Sequence, residues 1–356
     1  VLALRLSNYR NGVSKLHGKV SRGMWQGLWQ DKAEDDVPIT SVTNGVHTLS
    51  WLARRITELY KRTFGPDWIN HIDDPKMWEG IERIDDAELW QIRFHLKRKL
   101  VNYMVTRARY QWANNNVHPV QTVASGVLLE PSALTIGFAR RFATYKRANL
   151  IFHDWDRLLR IITNPKKPVQ IIFAGKAHPN DEPGKRMIQE VYRAVKDARN
   201  GGRLVFLEDY DMDMARYLTQ GVDVWLNNPR RPREASGTSG MKAAMNGVLN
   251  FSVLDGWWAE GYNGVNGWAI GDETEYTDLD AQDKADANSL YDTLENEIVP
   301  LYYTKRSADG LPADWLQRVK DCMRSISPAF SMTRMVKEYM TELYHPAMLG
   351  AQKYKE

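Results

Sequence analysis

The sequence predicts an α/β fold in which a mostly parallel β-sheet carries helices on both faces. Short apolar runs, typical of buried strands, alternate with segments of helical periodicity from about residue 134 to residue 254. Polar and glycine-rich segments follow these runs directly, as expected where ligands bind at the carboxyl ends of parallel strands. The composition agrees, because 43% hydrophobic and 26% charged residues are ordinary values for a globular protein.

The first third of the chain is predicted to be helical. Apolar side chains at near-helical spacing predict one helix over residues 1–30, which an acidic loop over residues 31–36 ends. From residue 49 to about Asn116 the spacing is helical again, with breaks at Gly65-Pro66 and at residues 73–75.

Strands and helices then alternate. Five strands are predicted, over residues 134–138, 169–174, 204–207, 222–226 and 248–254. Helices are predicted between them, near residues 149–162, 183–198, 212–218 and 241–247. One more amphipathic helix is predicted from about residue 328 to residue 344.

Charge and hydropathy exclude several classes of protein. The net charge is only +4 and no basic stripe is present, so we expect no nucleic-acid partner. No apolar run approaches the roughly 20 residues that span a bilayer, so we expect no membrane segment. The single cysteine, Cys322, cannot form an intrachain disulfide and is best interpreted as a small buried hydrophobic residue.

The most specific motif is Glu-Ala-Ser-Gly-Thr-Ser-Gly-Met-Lys, which runs from Glu234 to Lys242. Small residues that lead into a helix present free backbone N–H groups and the positive end of a dipole, which is an anion site. The dipole should lower the pKa of Lys242, and a neutral amine is what attacks an aldehyde. A glycine-rich turn followed by a surface lysine fits the spacing equally well.

A basic loop follows the first predicted strand. It carries Arg140, Arg141, Lys146 and Arg147, which suit two or more phosphate groups. A solvated basic loop is the alternative.

Two weaker signals accompany these motifs. Tyr210 follows the third predicted strand and offers a phenol to a phosphate, although a loop tyrosine is usually a packing residue. The Thr-Asn-Gly-Val-His turn contains Asn44 and His47, and a lone histidine is usually structural.

Together these segments resemble a known family. Thr-Asn-Gly, the Arg-x5-Lys-Arg loop, Leu-Glu-x-Tyr and Glu-Ala-Ser-Gly-Thr-x-x-Met-Lys are similar, in order and rough spacing, to motifs of α-glucan (glycogen, starch, maltodextrin) phosphorylases. The match runs from about residue 1 to residue 345 and looks most like the shorter bacterial and archaeal type. These enzymes are retaining glycosyltransferases with a GT-B-type fold, in which two Rossmann-like domains face each other across the active site.

The resemblance implies a role for each matching residue. Lys242 would bind pyridoxal 5′-phosphate through its amine, and Arg141 would bind orthophosphate, with Lys146 between the two phosphates; these three would be the catalytic residues. The groups around the cofactor phosphate would be Arg140, Lys146, Tyr210, Thr238 and Ser239. The groups that hold the glucosyl hydroxyls would be Asn44, Tyr145, Glu234, Ser236 and Gly237.

The resemblance also implies the reaction and the partners. The cofactor phosphate would act as the acid–base partner of orthophosphate during phosphorolysis of α-1,4-glucan or maltooligosaccharide to α-glucose 1-phosphate. We expect a cytoplasmic protein without a metal site, and a homodimer is an assembly that the resemblance allows.

The domain division follows from the same comparison. The chain starts without Met inside a helical pattern, so we expect residues 1–45 to be the remnant of an N-terminal domain that precedes them. Residues 46–330 would form the Rossmann-like domain that binds the cofactor and the glucosyl unit, and residues 331–356 a C-terminal helix and tail.

This sequence departs from the family pattern at two points. Arg140 stands where the family usually has lysine, and Ser239-Gly240 stands where Gly-Asn is common. Two alternatives remain open. One is a nucleotide-sugar-dependent glycosyltransferase of the glycogen or starch synthase kind, against which the Met-Lys pair argues. The other is a pyridoxal-phosphate-binding fragment without activity.

Overall fold

The protein is built around one six-stranded parallel sheet. The computed structural model describes residues 1–115, 119–304 and 306–352. The strands, labelled β1 to β6 in chain order, are Leu134–Ala139, Val169–Ala174, Leu204–Leu207, Val224–Asn227, Leu249–Val253 and Gly267–Ile270. Their order across the sheet is β3-β2-β1-β4-β5-β6. The prediction of an α/β fold with a parallel sheet is confirmed.

This strand order creates a topological switch point between β1 and β4. The chain first builds outwards from β1 through β2 to β3, and then returns to the other side of β1 to add β4. In doubly wound sheets, ligands bind in the crevice outside the carboxyl ends of the strands at such a point. Here β1 ends at Ala139 and β4 ends at Asn227. The loops that carry Arg140 and Glu234 therefore lie where the topology predicts a ligand.

Both faces of the sheet are buried, which explains why its strands are near-continuous apolar runs. In β2, Ile171 and Phe173 belong to the larger hydrophobic cluster, whereas Ile172 and Ala174 belong to the cluster on the other face.

Helices cover the sheet and form the N-terminal third of the chain. Their bounds are Leu2–Leu6, Lys15–Trp25, Thr48–Trp51, Arg54–Phe64, Pro75–Trp78, Asp86–Asn115, Pro119–Ala124, Trp155–Ile162, Glu182–Lys196, Met212–Gly221, Ser239–Ala244, Trp258–Gly261, Leu279–Thr293, Val299–Tyr303, Ala313–Ala329, Met332–Tyr339 and His345–Gln352. Several of them begin at an aspartate whose carboxylate accepts a backbone N–H of the first turn, as Asp154 and Asp211 do. Capping by these aspartates therefore fixes where the helices that follow the strands begin.

The prediction of a single helix over residues 1–30 is wrong. Between the helices Leu2–Leu6 and Lys15–Trp25, Asn11–Gly12 pairs as a short parallel strand with Thr40–Ser41. Ser14 then starts the second helix, because its side chain accepts the N–H of His17. Apolar spacing alone did not distinguish one helix from two that are separated by this pairing.

The structure adds elements that the pattern did not indicate. The strand β6 and the helices Leu279–Thr293 and Ala313–Ala329 were not predicted. The helix predicted over residues 328–344 consists of separate elements, because Pro328 belongs to the preceding helix and Ser331 caps a new one. The predicted helix end at Asn116 and the tail residues 353–356 lie outside the described residues. Within the described ranges, no helix is long and apolar enough to cross a membrane.

Candidate active site

The loop after β1 places two cations against one carboxylate. The Nη2 atom of Arg140 lies 2.8 Å from Oε2 of Glu234, and the ammonium of Lys146 donates to the same oxygen. All three side chains are buried. Ions withdrawn from water are tolerated when they pair and hydrogen-bond in this way. Arg140 was expected to bind the cofactor phosphate and Glu234 the glucosyl hydroxyls, and a direct contact between them was not predicted.

The backbone of this loop is an extension of the β1–β2 pairing. Arg140 N–H donates to Ala174 O at 3.1 Å and Phe142 N–H donates to Lys176 O at 2.9 Å. Gly175 has a φ of +149°, and a Cβ there would lie 1.9 Å from the carbonyl oxygen of Arg140. Only glycine fits at this position. The close approach of the segment after β2 to the loop after β1 therefore fixes the position from which the Arg140 side chain contacts Glu234.

Arg147 points away from this cluster. Its guanidinium pairs with Asp283 at 2.8 Å and Asp286 at 2.7 Å, and it donates to the carbonyl of Pro229. The φ of +47° at Arg147 turns the chain out of the loop. The prediction that all four cations of this loop suit two or more phosphate groups is therefore wrong for Arg147, which joins the loop after β4 to the helix Leu279–Thr293.

The cluster holds more positive than negative charge. Burial is the main cause that lowers the pKa of Lys146 to about 8, the charge of Arg140 lowers it further, and Glu234 opposes both effects. Burial alone would raise the pKa of the Glu234 carboxyl, but Arg140 and Lys146 outweigh it and the pKa is lowered. The Nη1 atom of Arg140 is buried and has no hydrogen-bond partner. The charge of Arg141 also lowers the pKa of Lys146, so three cations lie close together with one carboxylate among them, and the site favours an anion.

Three further predicted residues lie around this cluster. Arg141 is exposed and its charge acts on the Tyr145 phenol, and the Lys146 ammonium lies 4.6 Å from the centre of the Tyr145 ring. Burial raises the pKa of Tyr210 to about 12, and the charge of Arg140 partly offsets this. The Tyr210 phenol is therefore protonated at neutral pH and can act as a hydrogen-bond donor close to Arg140.

The Glu234–Lys242 motif forms a tight turn and a short helix, Ser239–Ala244. Gly237 has a φ of +87°, which favours glycine. A Cβ on Gly240 would lie 2.4 Å from Oδ1 of Asn250 and 2.8 Å from the Trp257 ring, so the helix start packs directly on β5 and its following turn. The buried hydroxyl of Ser236 has no partner, whereas the Ser239 hydroxyl accepts from the Trp225 indole at 3.2 Å.

Lys242 lies in this helix with its amine against an aromatic ring. Burial lowers the pKa of the Lys242 amine. The direction agrees with the prediction from the sequence, and burial is its cause. The amine lies 3.8 Å from the centre of the Trp51 ring. Asn246 links these two residues, because its Nδ2 donates to the carbonyls of both Trp51 and Lys242. Trp51 belongs to no motif, and its contact with Lys242 was not predicted from the sequence.

The N-terminal segment contacts the same turn. The Ser14 hydroxyl donates to Ala235 O at 2.8 Å, directly after Glu234. Asn44 N–H donates to Val13 O at 3.0 Å, and Arg334 donates to Asn44 O at 3.2 Å. The structure thus places the segment of Asn44 beside the motif. His47 is exposed and contacts Ser50 at 2.8 Å, in keeping with a structural histidine.

A doubly wound sheet with a cationic site at its switch point defines a class, the Rossmann-like ligand-binding proteins. Comparison with known proteins identifies the family within that class. Residues 1–266 match the family model described as carbohydrate phosphorylase. The chain belongs to the carbohydrate phosphorylase family, and the resemblance seen in its motifs is confirmed.

Individual relatives agree with this assignment. The chain is 46% identical over 344 residues to a glycogen phosphorylase of Aquifex aeolicus and 46% identical over 351 residues to a maltodextrin phosphorylase of Thermococcus litoralis. It is 42% identical over 346 residues to a glycogen phosphorylase of Mycobacterium tuberculosis. These alignments cover 97%, 99% and 97% of the chain, but 49%, 41% and 40% of the relatives. The chain thus spans half or less of the length of these three relatives.

Proposed function

We propose that the protein to which this chain belongs is an α-1,4-glucan phosphorylase. It transfers a glucosyl unit from the end of a glucan to orthophosphate and releases α-glucose 1-phosphate with retention of configuration. The observation that carries the proposal is the buried contact of Arg140 and Lys146 with Glu234 at the switch point, which leaves an excess of positive charge for a phosphate. The names of the relatives, glycogen and maltodextrin phosphorylase, support the same activity.

The residues of the site fit pyridoxal 5′-phosphate as the cofactor. Lys242 offers an amine whose pKa is lowered by burial, as attachment to an aldehyde requires. Arg140 has a buried Nη1 without a partner, and Tyr210 offers a protonated phenol near it. These groups, with Thr238 and Ser239 at the helix start, would hold the cofactor phosphate. When bound, the cofactor supplies a phosphate group that exchanges a proton with orthophosphate.

Arg141 and Lys146 would hold orthophosphate in the site. Arg141 is exposed and can make a bidentate phosphate contact, while Lys146 is buried beside Arg140. Two unit charges of like sign repel by about 4 kcal/mol at 4 Å when the effective dielectric constant is about 20. The excess positive charge of the cluster would offset this repulsion between neighbouring phosphates, which is why the site needs more cations than one phosphate requires.

Glu234 would accept hydrogen bonds from the sugar rather than attack it. Its carboxylate is ionised, buried and bound by two cations, which reduces its strength as a nucleophile. Asn44, Tyr145, Ser236 and Gly237 would complete the binding of the glucosyl hydroxyls; the buried, unpartnered Ser236 hydroxyl supports this role. The family match favours phosphorolysis over nucleotide-sugar transfer.

The assay that tests this proposal measures release of orthophosphate from α-glucose 1-phosphate in the presence of a maltooligosaccharide primer. We expect activity in a protein of the relatives' full length that contains this chain, and weak or no activity in the 356-residue chain itself. The GT-B arrangement, in which the cleft between two domains forms the site, is the reason for this difference. Glucosyl transfer that requires UDP- or ADP-glucose would contradict the proposal.

A further inference from the structure

A buried aspartate lies directly behind Glu234. Asp255 follows β5 and is fully buried. Its Oδ2 accepts the backbone N–H of Glu234 at 2.9 Å, and its Oδ1 accepts the N–H of Gly256 at 2.8 Å. Carboxylates that accept backbone N–H groups make strong, directional contacts. One buried side chain therefore determines where the backbone of residue 234 can lie.

The turn that contains Asp255 contacts the Glu234 segment at a second point. Trp257 N–H donates to Ser236 O at 2.9 Å, two residues beyond Glu234. Gly256 has a φ of +54°, and a Cβ there would lie 2.4 Å from the same carbonyl oxygen. The turn after β5 thus fits closely against residues 234–236.

This contact matters because Glu234 must reach two cations at once. Its Oε2 lies 2.8 Å from Arg140 and also contacts Lys146, so a small shift of its backbone would break one contact or both. Burial is the main cause that raises the pKa of Asp255 to about 6, and its two backbone hydrogen bonds oppose this effect. The charge of Glu234 also raises this pKa, and the charge of Arg231 lowers it. The carboxylate is therefore ionised at neutral pH and available to hold the Glu234 N–H.

We propose that Asp255 is a positioning residue for the phosphate and glucosyl site: its carboxylate holds the Glu234 backbone where the Glu234 side chain joins Arg140 to Lys146. This inference rests on the proposed function. Asp255 would not touch a ligand and would act only through Glu234. Asp255 belongs to none of the four family motifs. The sequence feature that could have indicated it is an Asp-Gly turn at the carboxyl end of a strand.

A double-mutant cycle tests this directly. The dissociation constant of α-glucose 1-phosphate is measured by calorimetry on a protein of the relatives' full length that contains this chain and is loaded with pyridoxal 5′-phosphate, for the wild type, Asp255→Asn, Glu234→Gln and the double variant. We expect Asp255→Asn to weaken binding about tenfold, as a misplaced contact residue does. Asp255→Asn should have little further effect when Glu234 is already replaced, because residues that act through one another are not additive. Additive losses would overturn the proposal.

A buried carboxylate elsewhere in the fold provides a matched control. Asp223 accepts the N–H of Thr135 at 2.8 Å and pairs with Lys97 at 2.6 Å, at the opposite ends of the strands. Asp223→Asn should lower Tm at least as much as Asp255→Asn and leave the dissociation constant unchanged. An equal loss of affinity in both variants would show that Asp255 is merely structural.

Two further measurements keep the outcomes distinct. If Asp255→Asn does not fold, Asp255→Ser takes its place in the same cycle, with the same expected coupling. If a folded protein of the relatives' full length that contains this chain binds neither pyridoxal 5′-phosphate nor glucose 1-phosphate, the proposed function fails, and this inference fails with it. Normal wild-type binding with additive variants would remove only the role of Asp255.

Discussion

Arg140, Lys146 and Glu234 depend on one another for their charges. Removal of one partner from a buried ion pair typically costs about 3–5 kcal/mol, because the other charge is left uncompensated. Substitutions of Glu234 should therefore affect stability and ligand binding together, since two buried cations share its one oxygen. Arg141 is different, because it is exposed and its removal leaves no buried charge unpaired.

The Arg141→Ala variant should separate phosphate binding from folding. We expect orthophosphate affinity to fall at least about tenfold, since a charge-assisted contact to an ionised group contributes roughly 1.5–3 kcal/mol. The Tm should stay within about 2 °C of the wild type, as for most surface substitutions. The matched control is Arg160→Ala, an exposed arginine of the helix Trp155–Ile162, which should alter neither property. Parallel losses of Tm and phosphate affinity in Arg141→Ala would indicate a structural arginine.

Lys146 should take up protons when phosphate binds. Its pKa is lowered to about 8 in the free protein, so part of the population is neutral just above that pH. A bound phosphate favours the ammonium and raises this pKa, so orthophosphate affinity should decrease as pH rises beyond about 8. Calorimetry in buffers of different ionisation enthalpy at pH 8.5 should record proton uptake in the wild type and less in Lys146→Met. Equal uptake in the two proteins would contradict the assignment.

At the scale of elements, strand positions could be predicted and several ends could not. Five of the six strands were predicted from their apolar runs, because a sheet that is buried on both faces requires them. The strand β6 begins at Gly267, and because glycine is depleted in strands its pattern was too weak to recognise. The break at Asn11–Gly12 depends on pairing with residues 28 or more positions away, which local periodicity does not reveal.

In the candidate site, too, some features could be predicted from the sequence and others could not. The motifs indicated Arg140, Lys146, Glu234 and Lys242 because each follows or begins an element at the carboxyl edge of the sheet. Sequence spacing could not show that Arg147 turns away, because that depends on the backbone at one residue and on acids near position 283. Nor could it show that Asp255 meets Glu234, since this contact joins loops that follow different strands.

The packing of the helix Ser239–Ala244 gives a prediction at this scale. In Gly240→Ala the new Cβ would lie 2.4 Å from Asn250 and 2.8 Å from Trp257, and the helix would be pushed off β5. We expect a loss of about 1–3 kcal/mol, as for other overpacked cores, together with weaker cofactor binding. Gly27→Ala, where no atom lies within 4 Å of the added Cβ, should be nearly neutral in urea unfolding. A fully stable Gly240→Ala variant would show that the helix start is not tightly packed.

Family membership and the geometry of this chain support different conclusions about the whole protein. The match to the carbohydrate phosphorylase family covers residues 1–266, and the relatives are about twice as long as the chain or longer. The facing second domain, the division of the chain at residues 45 and 330, the homodimer and the cytoplasmic location stay predictions. What this chain itself contributes is a sheet edge that gathers cations, one ionised carboxylate and two amines of lowered pKa, those of Lys146 and Lys242.

Attachment of pyridoxal 5′-phosphate to Lys242 can be detected by incubation with the cofactor, reduction with borohydride and mass mapping of the modified lysine. We expect a yellow absorption band that borohydride removes, and a stable pyridoxyl group on Lys242. In Lys242→Ala, both the band and the label should be lost, while the Tm without cofactor stays close to that of the wild type. A label on another lysine, or an unchanged spectrum in Lys242→Ala, would contradict the account.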